Sequence, residues 1–312
     1  MRGWLLAAWT VVGLAAGLVI PNAAAADCVP RRIATLPATR GPDGTFRVPA
    51  QMDGMPTLLL LDTGGGASMI GPALVAALKL PVEATGMTVG GLDGSFSARS
   101  VTVPELRLGE EIERDRAFLV QPIPEGRPGP NYGGVLAADL LKLRDIELDP
   151  TGDRVSLYAQ DHCGRPPTSW SGAAYEMPIL VTPDLHIRLE VRIGDAIVGA
   201  WLDSGAGVSW LSRRAAQTAL GLSRETLERD PAARIVGAGG QSIAARAHRF
   251  PSIRLDSLAL SNWPVLIAAD EDEPASMRSA DMIIGMDVIG RFRMFVAYDD
   301  QALYFMPAEP VR

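Results

Sequence analysis

Apolar and polar positions alternate along this chain in an order that occurs twice. Phe46 to Gly71 can be laid on Ile187 to Ser212 without a gap. Each stretch opens as a strand with one apolar and one polar face, Phe46-Arg47-Val48 in the first and Ile187-Arg188-Leu189 in the second. A turn follows at Asp53-Gly54 or Gly194-Asp195. An apolar run then leads into a triplet. Leu58-Leu59-Leu60-Leu61 precedes Asp62-Thr63-Gly64, and Val198-Gly199-Ala200-Trp201-Leu202 precedes Asp203-Ser204-Gly205. Next, the pattern predicts short helices. Gly71-Pro72 opens Ala73 to Lys79, with Pro72 suited to the first helical position. Ser212 is a candidate N-cap for Arg213 to Leu220, which Gly221 ends.

Beyond the helices each half carries a glycine-tipped hairpin. Val89-Gly90-Gly91-Leu92-Asp93-Gly94-Ser95-Phe96 is the first tip, and Val236-Gly237-Ala238-Gly239-Gly240-Gln241-Ser242 the second. Further strands are expected at Val101 to Val103, Leu106 to Leu108 and Ile253 to Leu255. Gly134 to Leu141 then matches Ile283 to Ile289, and a closing strand pair ends each half: Arg144–Asp149 with Arg154–Tyr158, and Arg293–Asp299 with Ala302–Met306. Two copies of so long a unit imply a pseudo-twofold molecule instead of a solenoid. The expected organisation is a leader over residues 1–26, one lobe over 27–158, a Pro-, Gly- and Ser-rich linker over 159–176 and a second lobe over 177–312. Gln121 to Tyr132 and Asp270 to Asp281 occupy matching places before the closing motifs. They read as surface loops, with a substrate-contacting rim as the other option.

The leader changes the picture. Arg2, the apolar run Trp4 to Ile20 and the small residues Pro21 to Ala26 have the layout of a secretory signal, with cleavage expected after Ala26. An uncleaved anchor is the alternative; a lipoprotein is weaker, since Asp27 precedes Cys28. No later stretch is apolar and long enough to span a bilayer, so the expected location is periplasmic or secreted, without membrane association after cleavage. Export places the two cysteines, Cys28 and Cys163, in an oxidising compartment. There a disulfide is preferred over two free thiols, and it would tie the mature N-terminus to the inter-lobe junction. Of the 312 residues, 47% are hydrophobic and 21% charged, enough for a substantial core. A net charge of −7 with no basic stretch argues against a nucleic-acid partner.

A carboxylate at the end of a buried strand is costly unless something uses it. Two of them, in matched contexts, point to one centre where both meet. Rival chemistries fit poorly. His162, His186 and His248 are scattered and lack H-E-x-x-H spacing, so no metal site is expected. No G-x-S-x-G is present, and Gly237-Ala238-Gly239-Gly240 fits neither a dinucleotide nor a P-loop pattern. Trp201 and Trp210 beside the second triplet read as core.

Taken together, an apolar strand into Asp-Thr/Ser-Gly, a glycine-tipped hairpin and an apolar-apolar-Gly segment resemble the retropepsin-like aspartic proteases, with two such units fused in one chain. The resemblance covers residues 46–158 and 187–306. It implies an all-β, bilobal, pseudo-twofold fold of two retropepsin-like barrels with short helices. It also implies an endopeptidase that acts on peptide or protein, needs no cofactor and works as a monomer with an internal pseudo-dimer. Asp62 and Asp203 would be the catalytic pair. Thr63 and Ser204 would hydrogen-bond across the lobe junction, and Gly64 and Gly205 would allow close backbone approach. The hairpin tips, with Gly90, Gly91, Gly94, Gly237, Gly239 and Gly240, would be flaps over an extended substrate. There are departures. Ala137 stands where the second half has Gly285, Gly65 stands where it has Ala206, and neither flap has a tyrosine. A non-catalytic protein gripping extended peptides in the same cleft is the alternative, and lobe pairing between chains is a second.

Overall fold

The computed structural model describes residues 29–91, 94–121, 132–161, 170, 174–237, 242–269 and 280–308. Cys28, Cys163, His162, Gly239 and Gly240 lie outside them, as do the leader and most of both irregular loops, so the expected disulfide and signal segment fall outside the described residues.

Each repeat closes a six-stranded barrel. In the first lobe the order is Phe46–Met52, Met55–Asp62, Tyr132–Ala137, Met69–Ile70, Glu111–Val120 and Gly94–Leu108. The last strand returns to the first through Gln51↔Arg107 and Met52↔Leu106. The second lobe repeats this with Ile187–Ile193, Ala196–Leu202, Met282–Ile284, Trp210–Leu211, Leu258–Ala268 and Ser242–Leu255, closing at Val191↔Leu255 through Ile193↔Ile253. Alternation fills each interior. In Met55–Asp62 the side chains of Thr57, Leu59 and Leu61 are buried, while Leu58, Leu60 and Asp62 face the other way and are half-buried.

The first helix is Pro72–Leu78 and the second Arg213–Thr218, which starts as the Ser212 hydroxyl accepts from Ala215 N–H at 3.1 Å. A further helix, Arg224–Arg229, was not apparent in the apolar periodicity; Ser223 caps it through Thr226 N–H. The two glycine-tipped hairpins pair Glu83–Gly91 with Gly94–Leu108 and Ala232–Val236 with Ser242–Leu255. Gly90 pairs with Ser95 and Gly91 with Gly94 just short of the first tip.

The closing strand pairs do not stay in their lobes. They join one six-stranded sheet in the order Arg32–Pro37, Arg154–Tyr158, Asp145–Asp149, Phe292–Ala297, Ala302–Pro307, Tyr175–Pro178. Its centre is the antiparallel pair Ile146↔Val296, Glu147↔Phe295 and Leu148↔Met294, so the pseudo-twofold axis runs between the lobes here. Tyr175–Pro178, which begins inside the stretch read as a linker, supplies one edge. Glu147 is buried at this seam and accepts from Tyr158 Oη at 2.7 Å, Trp170 Nε1 at 2.7 Å and Arg293 Nε at 2.6 Å. Three donors satisfy a charge that burial would otherwise penalise. One core runs continuously through both barrels and the adjoining face of this sheet.

A second buried charge cluster sits in the first lobe. Arg144 is 2% exposed and pairs with Glu113, 6% exposed, and with Glu111 at 3.1 Å, while also donating to Leu140 C=O at 3.0 Å. It ties the short helix Ala138–Leu141, which follows the closing motif, to the strand Glu111–Val120. Removing one partner of a buried ion pair leaves the other desolvated and alone. Arg144→Ala is therefore expected to cost about 3–5 kcal/mol, read as a lower urea midpoint, whereas the exposed-pair variant Arg224→Ala should be near neutral.

Candidate active site

The two aspartate strands end at the lobe boundary with Asp62 and Asp203 side by side, each carboxyl acting on the other's proton affinity. What brings them there is a reciprocal set of bonds made by the next residue in each triplet. Thr63 N–H donates to Ser204 Oγ at 3.1 Å, and Ser204 N–H donates to Thr63 Oγ1 at 3.0 Å. Thr63 Oγ1 donates to Leu202 C=O at 2.7 Å, and Ser204 Oγ donates to Leu61 C=O at 2.8 Å. Both side chains are fully buried. Each hydroxyl thus accepts one bond and donates another, and both come from the opposite lobe. Such a closed network in a dry setting fixes geometry more strongly than its members would separately.

Each aspartate is also held by its own loop. Asp62 Oδ1 accepts from Gly64 N–H at 3.0 Å and Gly65 N–H at 2.7 Å; Asp203 Oδ1 accepts from Gly205 N–H at 2.8 Å and Ala206 N–H at 3.1 Å. The glycines are required by the opposite carboxyl. A Cβ on Gly64 would lie 2.3 Å from Asp203 Cγ, and one on Gly205 2.5 Å from Asp62 Cγ. Only hydrogen fits there.

Behind the loops is a layer that motif reading did not single out as functional. Ser68 donates to Asp139 Oδ1 from N–H at 3.0 Å and from Oγ at 2.6 Å, and its Oγ accepts from Ala137 N–H at 2.9 Å. Ser209 and Asp287 repeat this at 2.8 and 2.7 Å, with Gly285 N–H donating to Ser209 Oγ at 3.0 Å. Their signal was available, since Ser68 and Ser209 fall at one offset in the repeat and both closing motifs contain an Asp. These bonds lock each aspartate loop to its closing strand. Packing is tight at both departures from internal symmetry. A Cβ on Gly65 would come within 3.3 Å of Ala137 Cβ and 2.8 Å of Asp62 Oδ2, while one on Gly285 would strike the backbone of Ala206 and Val208 at 2.7–2.8 Å. Neither glycine has room for a side chain, Gly65 because of the Asp62 carboxyl and Gly285 because of backbone.

The electrostatics follow from burial. Desolvation raises both dyad carboxyls, Asp203 well above the ordinary range because the charge of Asp62 adds to it. Asp62 is raised less. Its interaction with Asp203, the N–H groups of Gly65 and Gly64, and the charge of His186 all favour its ionised form. Tyr132, on the closing strand, has its hydroxyl pushed up to about 12 by burial and by the Asp62 charge, so it stays neutral beside the dyad. Of the glycines expected at the hairpin tips, Gly90 and Gly91 sit at the paired end of the first hairpin, opposite Ser95 and Gly94, and Gly237 is buried just past the outer strand of the second. Trp210 is buried against Ile235, Ala245 and Ile283, whereas Trp201 is only partly buried. Among the described residues no group of His, Cys, Asp or Glu side chains could hold a metal ion. A cavity of about 250 Å³ lies at the end of the shared sheet, away from the dyad, with its Arg154 and Arg293 already paired to Asp149 and Glu147.

A family model described as aspartyl protease matches residues 48–161 and 189–288, which contain both triplets. The solved aspartic proteinase from Irpex lacteus aligns with 89% of this chain and 98% of its own length, at 17% identity and a TM-score of 0.49. No curated protein matches the chain.

Two outcomes are expected. Ser204→Ala strips Thr63 N–H of its acceptor and Leu61 C=O of its donor in a buried site, so unfolding should be easier by roughly 2–4 kcal/mol. An unchanged thermal midpoint would contradict the role given to these bonds. The second concerns pH. Asp62, Asp203, Asp287 and Asp145 are all raised by burial, Asp145 to about 7. In the folded protein they keep protons that the unfolded chain has released above the ordinary carboxylate range. Folding is therefore favoured in acid and weakens as pH rises to about 7. Chemical denaturation at pH 4, 5.5 and 7 should give midpoints that fall in that order.

Proposed function

The chain belongs to the aspartyl protease family, and from that premise we propose that it is an exported aspartic endopeptidase in which Asp62 and Asp203 hydrolyse peptide bonds by activating water. The observation that carries this reading is the meeting of the two half-buried carboxyls, one from each lobe, each packed against the other's loop glycine and raised by desolvation. Two adjacent carboxyls cannot both ionise readily, so the pair shares a proton, as in aspartic proteases generally. The ionised member takes a proton from an attacking water, and the protonated member donates to the carbonyl oxygen. The tetrahedral diol collapses and releases the amine.

The rest of the site supports this role. Thr63 and Ser204 keep the carboxyls at a fixed separation, and the loop N–H groups hold each Oδ1 in place. An extended substrate would lie between the two hairpins, its backbone bonding along the cleft and its side chains alternating into pockets. The apolar leader before Cys28 supports a periplasmic or secreted location, and the internal pseudo-dimer supports activity as a monomer.

The test is cleavage of an unstructured protein across pH 3 to 7. Wild type is expected to cut, and Asp62→Asn or Asp203→Asn to lose about 10²–10⁴-fold in rate while keeping the fold by circular dichroism. Cleavage that survives both substitutions would sink the mechanism. A folded wild type that binds an extended peptide without cutting it would replace the enzyme by a peptide-binding protein.

A further inference from the structure

The pseudo-twofold repeat continues upstream of Phe46, where the sequence gives no obvious match. Gly41 to Thr45 corresponds to Thr182 to His186, and both segments form the same turn. Gly41 N–H donates to Thr45 C=O at 2.8 Å and Gly44 N–H to Gly41 C=O at 2.9 Å; Thr182 N–H donates to His186 C=O at 2.9 Å and Leu185 N–H to Thr182 C=O at 2.8 Å. Each turn seats itself on the aspartate loop of the other lobe. A Cβ on Gly66 would lie 3.1 Å from Asp184 C=O, and one on Gly207 would lie 2.7 Å from Asp43 C=O. Gly44 has φ 81° there, whereas Leu185 holds φ 73° with a side chain attached. A non-glycine residue in that region is strained and is retained where its surroundings demand it. The turns end differently: lobe one in neutral Thr45, lobe two in an ionisable imidazole.

His186 is fixed on three sides. Its ring stacks on Trp201 with centroids 3.6 Å apart and planes at 12°. Its Nδ1 lies 3.1 Å from Asp184 Oδ2, and the His186 backbone N–H donates to Thr182 Oγ1 at 3.0 Å. The side chain is 15% exposed, against 64% for Asp184. Asp184 is held below the ordinary carboxylate range, first by the Thr182 hydroxyl and then by His186, so it stays an anion beside the ring. The titratable and charged groups around the imidazole are Asp184 on its own turn, Asp62 across the lobe boundary, Asp203 two residues beyond Trp201, and Arg188, the cross-strand partner of Trp201. The His186 charge favours ionised Asp62. Imidazoles are cationic in acid solution.

A symmetric pair of carboxyls has no preferred site for its one proton, and a cation placed toward one member removes that degeneracy. We propose that His186 is a positioning residue for the dyad, whose imidazolium keeps the negative charge on Asp62 and leaves the shared proton on Asp203. This rests on the aspartic-peptidase reading above and assigns its two roles. The water oxygen bonds to the carbonyl carbon, its proton goes to Asp62, and the proton of Asp203 goes to the carbonyl oxygen. When the C–N bond breaks, Asp62 passes its proton to the leaving nitrogen and a diol hydroxyl returns one to Asp203. The site then stands as it began.

The test reads the carboxyls directly and does not need turnover. Aspartate carboxyl ¹³C signals are titrated in folded wild type, His186→Thr, which copies lobe one, and His186→Arg, which keeps the charge. Asp62→Asn and Asp203→Asn assign the signals; should the threonine variant fail to fold, His186→Gln takes its place. In the neutral variant the lower step of the dyad should move to higher pH and lose its bias toward Asp62. In the arginine variant both features should stay as in wild type. In parallel, kcat/KM on the acid side should fall roughly three- to tenfold in the neutral variant alone, with the plateau little changed. Identical titrations in all three proteins, or equal shifts in the threonine and arginine variants, would overturn the proposal and leave His186 a packing residue. A wild type that cleaves nothing although its dyad titration responds to His186 would count against the peptidase reading and not against this one.

Discussion

Everything at the centre of this molecule depends on two hydroxyls exchanging bonds across the lobe boundary. Thr63 and Ser204 each take a backbone N–H from the other lobe and give their own proton to a backbone carbonyl of that lobe. In this buried setting the lobes cannot drift apart or slide without breaking all four bonds at once. The shared sheet works in the same direction from below. Ile146↔Val296, Glu147↔Phe295 and Leu148↔Met294 bind the lobes through backbone, and the Glu147 cluster pins the seam. Two independent ties about one axis fix the separation of Asp62 and Asp203 far better than either would alone.

That fixed separation is what makes the carboxyls useful. Two acids held together in a desolvated cleft cannot relax by moving apart, so their interaction appears as raised proton affinity. The cost is carried by packing elsewhere, and the molecule limits it by giving each Oδ1 two N–H donors. The same tightness shows in the glycines around the loops. Gly65 sits against the Asp62 carboxyl and the Ala137 methyl, and Gly285 against the backbone of Ala206 and Val208, so neither position has room for a Cβ.

The strands, both triplets and the doubling of the fold were legible in the sequence because they rest on local signals: alternation, turn residues and an apolar run that ends at an acid. What escaped is what local signals do not encode. The closing strand pairs read as ends of lobes, and nothing in their alternation says that they pair with each other. Ser68 with Asp139 and Ser209 with Asp287 lie about seventy residues apart in the chain, and only tertiary closure brings them to the back of the aspartate loops. Tyr132 enters the dyad's surroundings from the closing strand, while a search for a tyrosine at the hairpin tips finds none. The helix Arg224–Arg229 was hidden by its composition: charged on most of its surface, with Leu227 alone buried, it offers almost no apolar stripe.

Symmetry in this chain is held by backbone and broken by side chains. The turns at Gly41–Thr45 and Thr182–His186 keep the same bonds and the same seat on the opposite aspartate loop, yet Gly44, Thr45 and Leu60 face Leu185, His186 and Trp201 at equivalent places. These are changes a duplicated frame tolerates, because none removes a bond on which the pairing of lobes depends. They are also the changes able to make two chemically identical carboxyls behave differently, since two equal carboxyls that share one proton have no preferred site for it. An ionisable ring, an aromatic plane and a strained residue, all gathered on one side of the axis, supply a physical difference where the triplets themselves supply none. What can distinguish the two carboxyls therefore lies in the turns that lean on their loops from the opposite lobe, and not in the motifs that carry them.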